Sequence, residues 1–205
     1  MTRSGRYTIL LIILAGFIAA FGLEGLNLII DITRGLNTYG FGILIGAIVG
    51  VILHELAHSR VAVACGCRAG FKYTLYGILI TIGSGILQSL NFVGLPRAPI
   101  AFIAPGYVIV YCYTSYYRVH EADIAAAGPA TNVLLAGVGY LLSHLNGINY
   151  FGYGFMMINA ALAFFNLLPV PPLDGSKVIR RRPLLWVILM MLSIAMMYKQ
   201  FLPII

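Results

Sequence analysis

The stretch 40–64, GFGILIGAIVGVILHELAHSRVAVA, decides the fold class of this chain. It is long enough to cross the hydrocarbon core of a bilayer, which takes about 20 apolar residues, yet it contains His54, Glu55 and His58. The rest of the chain is similarly apolar, with 60% hydrophobic and only 9% charged residues among 205. Because a soluble domain carries about 25% charged residues, this composition predicts a membrane protein.

Four further stretches have the length and composition of membrane spans. Together with the first, they predict an α-helical polytopic membrane protein with about five transmembrane helices, at about 7–30, 40–64, 124–142, 150–168 and 184–205. No soluble segment between them is long enough for a second domain. We therefore expect residues 1–205 to form a single domain with its core at about 40–176.

The long apolar segment 71–117, between the second and third spans, does not have the pattern of a transmembrane helix. Glycines and prolines interrupt it, and its runs 76–82, 101–103 and 107–113 are short, as strands are. Strand-like backbone at membrane depth survives only where protein or a wet cavity satisfies its polar groups. The segment predicts a re-entrant, strand-like hairpin packed against the helices, and one kinked extra helix is the alternative.

The basic residues predict the orientation of the chain. With a cytosolic N-terminus and five spans, only Arg34 and Lys199 lie outside, and the other eleven lie on the cytosolic side, as the positive-inside rule expects. These eleven are Arg3, Arg6, Arg60, Arg68, Lys72, Arg97, Arg118, Lys177, Arg180, Arg181 and Arg182. Orientation thus explains the net charge of +7. The sequence has no basic stripe interleaved with aromatics, the pattern that would predict nucleic-acid binding.

The motif His54-Glu55-Leu56-Ala57-His58 predicts a metal site. On a helix, His54 and His58 are one turn apart and face the same way. Two imidazoles at that spacing can share one Zn²⁺, while Glu55 can reach a water at the metal. Three ionisable groups inside an apolar helix are costly without such a metal.

A catalytic zinc takes a third protein ligand. Asp174 is the strongest candidate, because the prolines between it and Asn166 end the fourth span and allow a carboxylate to turn inward. Taken alone, the sequence Pro-Pro-Leu-Asp-Gly is equally consistent with a plain turn. The other histidines and carboxylates lie at loop edges or span ends: His120, His144, Glu24, Asp31, Glu121 and Asp123.

Three motifs together resemble the site-2 protease family of intramembrane zinc metalloproteases. They are His54-Glu55-Leu56-Ala57-His58, the sequence AGPATN at 127–132 with the spacing Gly-x-x-x-Asn, and Asn166-x-x-Pro-x-x-x-x-Asp174-Gly175. The resemblance implies one Zn²⁺ per chain, held by His54, His58 and Asp174, with Glu55 as general base. It also implies that Asn166 binds the substrate or the oxyanion. The chain resembles the minimal members of the family, which carry no regulatory domain.

The function that this resemblance implies is a zinc-dependent intramembrane endopeptidase. Its substrate is a transmembrane segment of another membrane protein, and we expect the active site to lie toward the cytosolic side of the bilayer. Two alternatives remain: a different membrane zinc hydrolase acting near the interface, and a metal transporter or sensor. The second fits less well, because transporters usually contain inverted repeats and this sequence shows none.

Three smaller expectations concern residues whose patterns fit packing better than chemistry. We expect Gly128 to allow close helix contact, and Cys65, Cys67 and Cys112 to serve as small packing residues and not as a disulfide framework. The tyrosines of the segment 107–117 are typical of an interfacial aromatic belt.

Overall fold

The computed structural model describes residues 3–73, 75–96, 106–112 and 117–198 of the chain. The elements in chain order are α1 (Arg3–Glu24), α2 (Asn27–Thr33), α3 (Tyr39–Ala64), β1 (Cys67–Tyr73), α4 (Leu75–Gln88), a 3₁₀ helix (Ser89–Val93), β2 (Gly106–Cys112), α5 (Tyr117–Leu142), α6 (Asn149–Asn166), α7 (Gly175–Arg181) and α8 (Pro183–Tyr198). Helices dominate the described residues, as the sequence predicts.

Among the described residues, three helical stretches are long and apolar enough to cross a membrane: Tyr39–Ala64, Leu75–Val93 and His120–Leu142. A bent pair, Ile13–Glu24 with Asn27–Thr33, makes a fourth if it counts as one span. Helix α8 is apolar but shorter over its described residues. The chain thus has the apolar helices of a membrane protein, while the count of five spans stays a prediction.

The centre of the molecule is a bundle of α3, α5 and α6. Glycines bring the backbones of α3 and α6 into contact, since a Cβ on Gly154 would overlap the carbonyl oxygen of Tyr39. Helix α5 packs antiparallel to both, because its Asn132 contacts Gly50 at the middle of α3 while its Ile124 contacts His58 further along. The C-terminal ends of α3 and α6 therefore lie at the same end of the bundle as the N-terminal end of α5.

The first predicted span is not one continuous helix. The chain turns by 106° between α1 and α2, where Gly25 adopts a φ of +59°, a conformation open to glycine at little cost. Ser89 satisfies the backbone at this break by accepting a hydrogen bond from the Leu26 N–H at 2.9 Å. A uniformly apolar sequence does not disclose such a turn, so the predicted span at about 7–30 is a bent pair of helices where one transmembrane helix was expected.

The segment between α3 and α5 contains both strands and a helix. The predicted strand at 107–113 agrees with β2, which pairs antiparallel with β1. The predicted strand at 76–82 is wrong, because these residues lie in α4, and the run at 101–103 lies outside the described residues. The glycines of α4 do not break it, since Gly85 packs directly against Phe21 of α1 and no proline interrupts it.

The cysteines lie at the junction of α3 with the strand pair. Cys67 is buried against Ala62 and Ile124 and is disulfide-bonded, whereas Cys65 is free. In the register of the two strands, Cys112 is the residue opposite Cys67. The expectation that the cysteines act only as packing residues is therefore wrong for Cys67.

Candidate metal centre

The two motif histidines lie on the buried face of α3, where both imidazole rings are held by their Nδ1 atoms. His58 is 1% exposed, and its Nδ1 donates to the carbonyl oxygen of Ile124 on α5 at 2.7 Å. His54 is 6% exposed, and its Nδ1 donates to the side-chain oxygen of Asn132, also on α5. A protonated Nδ1 leaves Nε2 of each ring with a free lone pair.

Asp174 reaches the same place from the other side of the bundle. Helix α6 ends at Asn166, and the proline-rich segment that follows ends at Asp174, the N-terminal capping position of α7. Gly175 permits this return, because a Cβ there would overlap the backbone carbonyl of Leu167. The indole Nε1 of Trp186 donates to that same carbonyl at 2.7 Å and fixes α8 to the turn. Asp174 therefore lies on a turn that is packed into the protein and not on a plain surface turn.

The three predicted ligands converge within the apolar bundle. Their ligand atoms all lie within 4.8 Å of one another, and Asp174 is 7% exposed. Its Oδ2 is 3.1 Å from Nε2 of His58 and 3.6 Å from Nε2 of His54. Its Oδ1 faces the ammonium group of Lys177 at 3.5 Å. One carboxylate oxygen thus points at the histidines while the other is held by a lysine.

This donor set fits one metal ion. The two Nε2 atoms are 3.0 Å apart, and with both Nδ1 atoms protonated neither carries a hydrogen to give the other. Two nitrogens bound to one tetrahedral zinc at about 2.0–2.1 Å lie about 3.3 Å apart, close to the observed separation. Three electron-pair donors that face one another without a proton between them are stabilised by a cation.

Gly128 provides the space for such an ion. A Cβ built on Gly128 would overlap the Nε2 atoms of both His54 and His58. Gly128 thus allows the close contact between α5 and α3 that the sequence predicts, and its missing side chain also leaves space beside the two ligand atoms. The spacing Gly-x-x-x-Asn has a geometric meaning here: Gly128 faces the ligand atoms, and Asn132, one turn on, holds His54 from behind.

Glu55 lies beside the ligands and has an uncommitted carboxylate oxygen. Its Oε2 is buried and accepts no hydrogen bond from any described residue. Glu55 is the neighbour of His54 on α3, and its carboxylate lies near that of Asp174. A buried carboxylate oxygen without a donor is costly, and at this position it is suited to accept a proton from a water molecule.

Asn166 lies at the last residue of α6, half-buried at the start of the turn that leads to Asp174. Its Nδ2 donates to the carbonyl oxygen of Leu162 at 2.9 Å. The structure thus places Asn166 on the segment that carries the third ligand, while its contact with a substrate stays a prediction.

One buried residue of the site escaped the sequence analysis. Asn159 on α6 is fully buried and hydrogen-bonds to Asn132. The available signal is an amide in the apolar middle of a predicted span, a pattern that Asn132 shares. Asn159 lies outside the three motifs, so their spacing does not distinguish it.

Known proteins with similar sequences agree with the assignment of a metal site. The sequence model of Peptidase family M50 matches residues 142–186, which include the turn with Asn166 and Asp174. A protein of Methanocaldococcus jannaschii named "Putative zinc metalloprotease" is 40% identical over 147 residues, covering 68% of this chain and 69% of that protein. One of Bacillus subtilis with the same designation is 28% identical over 158 residues, 67% of each chain.

A second Methanocaldococcus jannaschii protein, named as a zinc metalloprotease, is 26% identical over 136 residues, 64% of this chain but 31% of its own length. No solved protein structure matches the chain. The extent of the similarity to the first relative, together with the family match over the turn that carries Asp174, agrees with the resemblance drawn from the motifs. The chain is a membrane protein that belongs to peptidase family M50.

Proposed function

We propose that this chain is a zinc-dependent endopeptidase that cleaves a transmembrane segment of a membrane-protein substrate. One observation carries the proposal: His54, His58 and Asp174 converge inside an apolar helix bundle, with the unpartnered carboxylate oxygen of Glu55 beside them. The zinc metalloproteases among the relatives support the choice of metal.

The residues of the site divide the work of peptide hydrolysis. His54, His58 and Asp174 would hold a zinc ion, which would supply Lewis-acid activation of water and of the scissile carbonyl. Glu55 accepts a proton from the attacking water and passes it to the leaving amine. The amide of Asn166, on the segment that leads to Asp174, stabilises the oxyanion.

The position of the site along α3 sets the route of water. His54 lies ten residues before the end of the helix at Ala64, which corresponds to a depth of about 15 Å. The basic residues of α7 and the Arg182 that follows it lie at this end of the bundle, near the start of α5, where Arg182 pairs with Asp123 at 3.1 Å. By the positive-inside rule this end faces the cytosol, and water then reaches the site from there.

The antiparallel packing of α3 and α5 bears on the number of spans. If both cross the bilayer, the segment between them starts and ends on the same side. Helix α4 cannot then be a single additional crossing, although it is apolar enough for one. This supports a re-entrant arrangement for α4 and the strand pair, with the chain crossing the bilayer five times.

The strand pair supports a mode of substrate binding. A transmembrane helix hides its carbonyl groups in internal hydrogen bonds, so the substrate must be extended before it is cut. Strand β1 begins at Cys67, shortly after α3 ends at Ala64, and its only described partner is β2. A two-stranded sheet has open edges, to which an extended peptide adds through main-chain hydrogen bonds.

Purified protein reconstituted with a panel of single-span substrates tests the proposal. We expect cleavage that a zinc chelator abolishes and added zinc restores. Glu55→Gln should keep the bound zinc and lose cleavage, because the amide cannot accept the proton. Glu121→Gln, a matched change outside the site, should cleave normally. Zinc binding without cleavage of any substrate, together with zinc flux into vesicles, would favour the transporter alternative.

A further inference from the structure

A chain of three buried side chains runs from the metal site into the bundle. The side-chain oxygen of Asn132 accepts from Nδ1 of His54. Its Nδ2 donates to the side-chain oxygen of Asn159 at 3.0 Å and to the carbonyl oxygen of Gly50 at 3.3 Å. Asn132 and Asn159 are both 0% exposed. The chain links α3, α5 and α6, the three helices at the centre of the molecule.

The partners of Asn159 fix which way its amide points. Its Nδ2 donates to the carbonyl oxygen of Phe155 at 2.9 Å and to that of Gly46 at 3.2 Å. A backbone carbonyl only accepts hydrogen bonds, so the amide nitrogen must face these two atoms. The side-chain oxygen of Asn159 is then necessarily the atom presented to Asn132.

The direction of this hydrogen bond determines which ring nitrogen of His54 carries the proton. Because Asn159 presents an oxygen, Asn132 must answer with its NH₂ group, and its own oxygen is left to face His54. An oxygen accepts only from a protonated Nδ1, so Nε2 of His54 keeps its lone pair for the metal. With the Asn132 amide reversed, an NH₂ group would face Nδ1 and favour the tautomer whose Nε2 carries the proton.

We propose that Asn159 is a positioning residue for the metal site: it sets the donor–acceptor direction of Asn132 and thereby holds His54 in the tautomer that binds metal. The carbonyl of Gly50 favours the same direction, but that group also accepts the helical hydrogen bond of α3 from the residue four positions on. Asn159 supplies the shorter of the two contacts and an oxygen with no such competing role.

Two glycines of α3, Gly46 and Gly50, lie beside this pair of asparagines. A Cβ on Gly50 would overlap the side-chain oxygen of Asn159 and come within 3.1 Å of Nδ2 of Asn132. A Cβ on Gly46 would come within 3.2 Å of Nδ2 of Asn159. Gly50 therefore does more than permit close helix packing, because it leaves the space in which the two amides meet.

Zinc affinity of the full chain, measured in detergent by competition with a chelating dye, tests the proposal. Outer-shell partners of metal-binding histidines are worth about 10–100-fold in metal affinity, and we expect Asn159→Leu to lower zinc affinity by about tenfold or more. The decisive arm repeats this change in an Asn132→Asp background. A carboxylate accepts through either oxygen, so it has no direction to lose, and there Asn159→Leu should cost nothing.

Two further variants help to separate this role from packing, one as a control and one as a replacement. Ser193→Ala removes another fully buried polar group, on α8, and should leave zinc affinity unchanged. Asn159→Ala, which adds no atoms to the bundle, replaces Asn159→Leu in the same cycle if the leucine variant does not fold. Equal losses in both backgrounds, or no loss in the Asn132 background, overturn the proposal. The assay reads metal binding alone, so its outcome does not depend on which peptide is cleaved.

Discussion

The substitution Gly128→Ala adds a single methyl group and should disable the metal site. Taken as a packing residue in a helix, Gly128 would gain about 1 kcal/mol of helix propensity on becoming alanine. The structure predicts the opposite outcome, because the new Cβ would overlap the Nε2 atoms of His54 and His58. The atoms that must bind zinc would then contact carbon.

The size of the effect follows from this overlap. To restore an ordinary carbon–nitrogen contact of about 3.5 Å, the two imidazoles must retreat by about 1 Å. Metal and catalytic sites have to be held within about 0.5 Å of their working geometry, so the retreat removes at least one ligand. We expect zinc affinity to fall about 100-fold or more, equivalent to about 2.7 kcal/mol, with a parallel loss of proteolysis.

Chelator competition and thermal unfolding of the purified variant measure the two sides of this prediction. Gly137→Ala is the matched control, because it lies on the same helix α5 and a Cβ there meets nothing within 4 Å. It should bind zinc normally and be as stable as the parent or slightly more so. Normal zinc affinity in Gly128→Ala would refute the reasoning and return Gly128 to a packing role.

Three further predictions follow from the same geometry. Asp174→Ala should weaken zinc binding severely, since it removes one of three ligands, and unchanged zinc content by metal analysis would mean that the third ligand is misassigned. Gly175→Ala should destabilise the turn that carries Asp174, because its Cβ would overlap the carbonyl of Leu167, and a lower unfolding temperature should show this. In a variant without native cysteines, a cysteine at Val170 should react with an impermeant thiol reagent from the cytosolic side and one at Asn146 from the other side, while the reverse pattern would invert the proposed orientation.

Sequence motifs predict the metal site well because their chemistry is local and costly. His54, Glu55 and His58 lie within one helical turn, and ionisable groups in an apolar helix have few explanations besides a metal. Asp174 lies far along the chain, and prolines and a glycine mark the turn that returns it to the bundle. The structure brings the three predicted ligands His54, His58 and Asp174 together, as the motifs predict.

Residues whose role depends on a neighbouring helix could not be assigned from spacing alone. Gly128 is a small residue in an apolar helix, and only the approach of α3 distinguishes space for a metal from space for packing. Asn159 lies in the apolar middle of α6, and its role depends on Asn132, a residue of another helix. Both roles arise where three helices meet, which a single sequence does not show.

The irregular segment between α3 and α5 illustrates a different limit. Glycines at Gly77, Gly83 and Gly85 suggested strands, yet α4 runs through all three. There Gly85 allows close contact with α1 and does not reverse the direction of the chain. Glycine is a weak helix former in water, but tertiary packing overrides that preference, so a glycine-rich apolar run does not distinguish helix from strand.

The position of the scissile bond is the most direct test of the central claim. Single-span substrates are incubated with the zinc-loaded protein in liposomes, and mass spectrometry identifies the termini of the products, with Glu55→Gln as the inactive reference. The proposed function predicts that the new termini fall within the apolar transmembrane segment of the substrate. Products cut only in the soluble flanks would contradict intramembrane cleavage and assign the site to hydrolysis at the membrane surface.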